Sequence, residues 1–111
     1  MLNDFLCIFV DDCETVEFEK VDNLSEFNIL NVIVNDGFKY IESFDDLEER
    51  IFEYRDIMVD EDSKILLMEK WEELKRVGTK LIEEKGDVNI CGSVGWDEEC
   101  ICCIAVMISK V

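Results

Sequence analysis

Three groups of residues in this chain could carry chemistry: six cysteines, a tandem aspartate pair and a dense block of carboxylates. Cys100-Ile101-Cys102-Cys103 places thiols close enough to suggest zinc. Zinc sites, however, want Cys-x2–4-Cys pairs, often twice, on turns that let the thiolates converge. Cys102 and Cys103 fall on a stretch that reads as a strand, so they point to opposite faces. Cys7, Cys13 and Cys91 add no second pair at ligand spacing. Buried packing as small hydrophobes is therefore the expectation for these thiols, and no metal is expected. A reactive thiol needs a cationic setting to lower its pKa, which a chain of formal charge −17 does not offer.

Asp11-Asp12 ends an apolar run and could hold Mg²⁺, as strand-end acids do in some phosphoryl-transfer enzymes. Nothing else for that chemistry accompanies the pair, neither a Walker loop nor a Gly-rich phosphate cradle. The chain has no histidine, which excludes nucleophile–His catalysis. "GDVNICGSVG" lacks the dinucleotide-binding glycine spacing and precedes a strand rather than a helix. "DED" at residues 60–62 lacks the Gly and terminal Glu of an EF-hand loop. A non-enzymatic protein without a cofactor is expected.

The third group is the most unusual. "SFDDLEERIFEYRDIMVDED", residues 43–62, holds nine carboxylates and two arginines. Residues 1–62 carry 19 acids against 4 bases, whereas residues 63–111 carry 9 against 7. Nearly all the excess charge thus sits in the first part. Such a surface repels nucleic acid and anionic membranes as direct partners and favours a basic protein.

The elements that would position these residues follow from hydrophobic period. Residues 1–111 suit one domain. Phe5 to Val10 reads as a buried strand, and Val16, Phe18 and Lys20 alternate as in a half-exposed one. Phe27 to Asn35 reads as a strand ending in the hairpin signal Asn35-Asp36-Gly37, with Phe38 to Ile41 returning. Ser43 then caps a helix, with Asp46 at the third helical position. Its apolar residues Phe44, Leu47, Ile51, Tyr54 and Met58 share one face. A second helix is capped by Asp62 or Ser63 and ends near Lys85, before the stop signal Gly86. Leu67, Trp71, Leu74, Gly78, Leu81 and Ile82 form its buried stripe. A terminal hairpin closes the chain. With a two-residue loop at Asp97-Glu98, Trp96 pairs with Glu99, and Val94, Trp96, Cys103 and Ala105 share a face; a three-residue loop reverses the faces. The last strand is apolar on both sides and belongs in the middle of the sheet. The fold class expected is α+β: a mainly antiparallel sheet of about five to six strands, with two consecutive helices inserted before a C-terminal β-hairpin.

On the first helix, Asp45, Glu49, Glu53, Asp56 and Asp60 make an outward row, about 6 Å apart per four-residue step. Glu48, Glu61 and Asp62 widen it. Like charges at this spacing destabilise a helix by a few tenths of a kcal/mol per pair, about 0.2–0.5. Trp96, beside Asp97 and Glu98, reads either as an exposed aromatic anchor ringed by acids or as a ring folded back on the sheet edge. These eleven residues are the candidate partner-binding set. In composition alone the chain resembles small acidic inhibitors: barstar-type toxin immunity proteins, phage DNA mimics and anti-CRISPR proteins. That resemblance implies a stoichiometric inhibitor of a nuclease or other nucleic-acid-binding effector. The alternatives are an interaction module whose acidity serves solubility, and a thiol or metal-binding protein. The start, MLNDFLCIFVDD, carries no Lys or Arg, unlike a signal peptide. The apolar runs are too short to span a bilayer. A cytoplasmic setting with reduced thiols is expected.

Protein purified under reducing conditions should accordingly contain no stoichiometric zinc, and Cys102→Ser should cost packing without changing metal content. Zinc at about one equivalent, lost when Cys100, Cys102 and Cys103 are replaced, would overturn the packing role.

Overall fold

The computed structural model describes residues 3–11, 15–21 and 38–111. The expected strand Phe27 to Asn35, its Asn35-Asp36-Gly37 turn, Asp12 and Cys13 lie outside the described residues. Five strands are described: β1 (Asn3–Asp11), β2 (Thr15–Val21), β3 (Lys39–Tyr40), β4 (Val88–Trp96) and β5 (Cys102–Lys110). They form one open antiparallel sheet in the order β2-β1-β5-β4-β3. A 3-10 turn (Phe44–Leu47) leads into α1 (Glu48–Ile57), and α2 (Glu61–Lys85) follows. The α+β expectation holds, with two helices ahead of a terminal hairpin.

β5 lies at the centre of the sheet, as its apolar character on both sides requires. Its helix-facing residues Cys102, Ile104, Val106 and Ile108 meet Leu6, Ile8 and Val10 of β1 in the main core, which Ile51, Tyr54, Leu67, Trp71 and Leu74 complete from the helices. The other face carries a smaller cluster of Cys7, Cys103 and Ala105, with Phe5, Phe9 and Phe38 against it.

The hairpin register differs from the two-residue-loop expectation. Trp96 pairs with Cys102, and Val94 with Ile104. The loop is Glu98-Glu99-Cys100, closed by Asp97 N–H donating to the Ile101 carbonyl. Cys100 has φ 65°, the left-handed position that ends a three-residue hairpin loop. Asp97 Oδ1 accepts from the amides of Glu99 (2.9 Å) and Ile101 (3.0 Å), and this fixes the turn. Val94 and Trp96 therefore share the helix side with Cys102 and Ile104, while Cys103 and Ala105 face away.

Both helix starts are held by acids. The Asp46 carboxylate accepts from the amides of Glu42 (2.8 Å) and Ser43 (3.2 Å). α2 begins at Glu61, two residues before the start that an Asp62 cap implies and three before that of a Ser63 cap. Its cap is Asp60, whose Oδ2 accepts from Ser63 N–H (3.2 Å) and Ser63 Oγ (2.7 Å). Of the two expected caps, Asp62 lies inside the helix and Ser63 serves as donor to the true cap. α2 ends where Gly86 takes φ 85° and its N–H reaches the Ile82 carbonyl at 3.0 Å. No helix among the described residues is long and apolar enough to cross a membrane.

Two glycines set how closely the layers approach. A Cβ on Gly92 of β4 would lie 2.7 Å from Leu47 Cδ1 and 3.2 Å from Ile41 Cδ1, and one on Gly78 of α2 would lie 2.5 Å from Phe44 Cζ. Gly92→Ala should lower stability by about 1–3 kcal/mol through overpacking. In a urea titration the midpoint should fall at unchanged slope. In the Leu47→Ala background the added loss should shrink, because the clash partner is gone. Additive losses would show that Leu47 does not set this spacing.

Candidate functional site: an acidic helix face and the hairpin beside it

α1 presents two unlike sides. Ile51 and Tyr54 are fully buried, and Phe44, Leu47 and Met58 extend the same apolar face beyond its ends. That face fixes the rotation of the helix. Glu49, Glu53 and Asp56 are consequently exposed; of the row expected on one helix, Asp45 instead lies on the preceding 3-10 turn and Asp60 caps α2, both exposed, as are Glu61 and Asp62.

The eleven candidate residues divide by what they touch. Glu48 is a structural member: its Oε1 accepts from Trp71 Nε1 at 3.0 Å and Lys75 Nζ at 2.8 Å. These bonds tie the first turn of α1 to the middle of α2. The hydrogen bond from Lys75, with that from Trp71, holds the Glu48 carboxyl below its usual range, and the Lys75 ammonium is correspondingly raised. Asp60 caps α2 and Asp97 closes the hairpin loop, as described above. Glu61 pairs with Lys64 at 3.2 Å, Glu53 with Arg50 at 3.1 Å and Asp56 with Arg55 at 3.6 Å. Among the described residues, Asp45, Glu49, Asp62 and Glu98 have no ion-pair partner.

Helix dipoles distinguish these acids further. Glu48 and Glu49 occupy the first turn of α1, and Glu61 and Asp62 that of α2, where negative charge is favourable. Glu53 and Asp56 lie toward the C-terminal end of α1, where it is not. The partners near them, Arg50 and Arg55, are both partly occupied by aromatic rings.

Trp96 is half-buried and lies back against α1. The Arg50 guanidinium sits 3.9 Å from its ring centroid, and the Tyr54 ring is 5.5 Å away at 44°. Tyr54 Oη donates to the Cys100 carbonyl at 2.6 Å. These contacts dock the base of the acidic hairpin loop on α1. Sequence reasoning missed Arg50 and Tyr54 as the residues that join the two acidic segments. The only local signal was that Tyr54 is a polar-tipped aromatic on a core face, which needs a hydrogen-bond partner when buried.

Thiol and metal chemistry gain no support from the geometry. Burial pushes the Cys7 thiol up to about 12, with Glu19 nearby adding to it, and raises Cys103 as well. Both are then protonated near neutrality and poor nucleophiles. Among the described residues no three His, Cys, Asp or Glu side chains converge on a point that could hold a metal ion.

The fold and surface together define a small antiparallel α+β domain with one strongly acidic helix face. No protein-family model, curated protein or solved structure matches the chain.

The Glu48 contacts give a pH dependence with a definite sign. A carboxyl whose pKa is lowered by folding contributes stability above its unfolded value, near 4.5, and loses it as pH falls through the folded value. Glu48→Gln should therefore be less stable than wild type at pH 7, by about 1 kcal/mol. The gap should close as pH drops below about 4. A gap of constant size from pH 7 to pH 3, measured by urea unfolding, would mean that the charge of Glu48 is not what matters.

Proposed function

We propose that this protein is a stoichiometric inhibitor that lays the acidic face of α1 into the basic nucleic-acid groove of a nuclease or other nucleic-acid-binding effector. Inhibition is by occupancy, since a groove that attracts phosphates also attracts a row of carboxylates. A phage counter-defence protein of the anti-CRISPR kind and a toxin immunity protein are two settings for this one mechanism, in the cytoplasm in either case. The observation that carries the proposal is the exposed row Glu49, Glu53 and Asp56 on the side of α1 opposite its buried residues, with Asp45 exposed on the 3-10 turn before it. Glu53 and Asp56 have Arg50 and Arg55 beside them, whereas Asp45 and Glu49 have no ion-pair partner among the described residues and stand next to like charges. A cation supplied by another molecule relieves that repulsion. Asp62, Asp97 and Glu98 extend the field, and Trp96 serves by holding the hairpin tip against α1.

The partner is first obtained by affinity capture from the host or infected cell. Association rate is then measured against ionic strength for wild type and for the variant Glu49→Lys, Glu53→Lys and Asp56→Lys. None of the three residues is buried, so the fold should be retained. The association rate should fall by about 10-fold or more at low salt, and the salt slope should flatten. The captured enzyme should regain nucleic-acid binding in the presence of the variant. Equal rates and equal salt slopes would reduce the acidic row to a solvated surface and remove the inhibitor reading.

A further inference from the structure

Long-range charge sets encounter rate, but affinity and residence time need a desolvated apolar contact. Trp96 does not supply an open one, because Arg50 covers its ring and Tyr54 packs beside it. An apolar surface is exposed elsewhere. Ile57 is 45 % exposed, Val59 89 % and Ile65 59 %. All three fall within nine positions, at the corner where α1 passes into α2. Beside them runs a groove of about 560 Å³ with Ile65 and Met68 in its wall, bounded by Arg55 of α1 and by Glu61, Lys64 and Glu69 of α2.

We infer that this groove at the α1–α2 corner is the apolar contact site of the protein, and that its occupant is a cationic amphipathic helix of the partner. Three features fix that choice. The groove is walled by helices alone, whose backbone groups bond internally, so an extended strand has no ladder to join. An occupant must engage through side chains, and a helix with an apolar stripe does so against Ile65 and Met68. The rim is net acidic: its three carboxylates Glu61, Glu69 and Glu72 face two cations, Lys64 and Arg55, which are paired with Glu61 and Asp56; Glu72 pairs with Lys75, and Glu69 has no ion-pair partner among the described residues. Basic residues flanking the apolar stripe match it. A second copy of the chain is disfavoured, because each copy carries a formal charge of −17. The inference rests on the proposed function for the basic character of the partner, and adds where the partner makes its apolar contact.

The test uses two synthetic peptides of about 18 residues with the same leucine and lysine content, long enough to form a helix on the surface. In one the leucines recur at helical spacing; in the other they are scrambled so that no face forms. Methyl NMR follows Val59, Ile65 and Met68 during titration of the full chain. The amphipathic peptide should shift these three methyl groups and bind about tenfold more tightly than the scrambled one. The variant Val59→Ser with Ile65→Gln alters only exposed side chains, so its thermal unfolding should match wild type. It should lose the preference between peptides while keeping the salt slope. The charge-reversed variant of α1 should weaken both peptides alike and keep the preference.

Equal affinity for the two peptides, with shifts confined to residues along α1, would overturn the groove assignment and leave the inhibitor reading standing. If neither peptide bound at low salt, the groove assignment and the inhibitor reading would both fall. Self-association that rises with protein concentration, and is abolished by Val59→Ser with Ile65→Gln, would assign the groove to a second copy and overturn the inference.

Discussion

β5 is the constraint from which the rest of the architecture follows. It is the last strand in the chain and the middle strand of the sheet, with residues 102–106 and Ile108 buried. A strand apolar on both sides must be covered on both faces and paired on both edges. β1 pairs one edge across nearly the whole length of the chain, and β4 pairs the other by a short hairpin. The helix layer covers one face, with Trp71, Leu74 and Leu67 of α2 fully buried in it. Because β1 and β5 lie far apart in sequence, loop closure precedes the reward of burial, and folding is expected to be slower than in a local topology.

The same layer determines which charges face solvent. α1 is anchored by Leu47 against Gly92, by Tyr54 on Cys100, and by Glu48 on Trp71 and Lys75. With three attachments along about 15 Å of helix, α1 cannot rotate its acids inward or away. A carboxylate drawn into the fold is matched closely: Glu48 has an indole N–H and an ammonium, and Asp4 has Lys85 at 2.8 Å and Lys20 at 3.5 Å. Acids with internal work are thus paired or hydrogen-bonded, and those on the outside of α1 and at the hairpin tip are exposed.

Much of this was legible from residue spacing because it depends on local period. The i, i+3, i+7 run from Phe44 to Met58 located the buried side of α1, and the uninterrupted apolar run of the final strand placed it centrally. The hairpin register was not legible from composition. A three-residue loop usually advertises itself by a glycine at its left-handed position, and here Cys100 occupies that position. The stabilising contact is the Asp97 side chain bonding to two amides of its own loop, and nothing in the sequence sets Asp97 apart from the acids Glu98 and Glu99 that follow it. Similarly, Asp60 rather than Asp62 caps α2 because Ser63 turns its hydroxyl back to it, and three acids in succession offer no local means of choosing among them. The setting of Trp96 depends on Arg50, 46 positions away in sequence, and no window of sequence contains that pair.

The placement of Arg50 and Arg55 bears on how a very acidic helix remains a helix. Each arginine pairs with a carboxylate, Glu53 or Asp56, and also lies over a ring, Arg50 on Trp96 and Arg55 on Phe52 at 4.7 Å. A guanidinium held against an aromatic face loses less freedom when it also pairs with a carboxylate, so its charge stays close to the helix surface. This lowers the local repulsion enough for α1 to fold, yet leaves Asp45 and Glu49 without an ion-pair partner among the described residues. Full neutralisation would require further lysines on the outward side, and α1 has none. The internal cations therefore secure the helix to the hairpin and leave its field directed outward. In the proposed complex, that field draws a basic partner in, and the apolar corner at Val59 and Ile65 determines how long the partner stays.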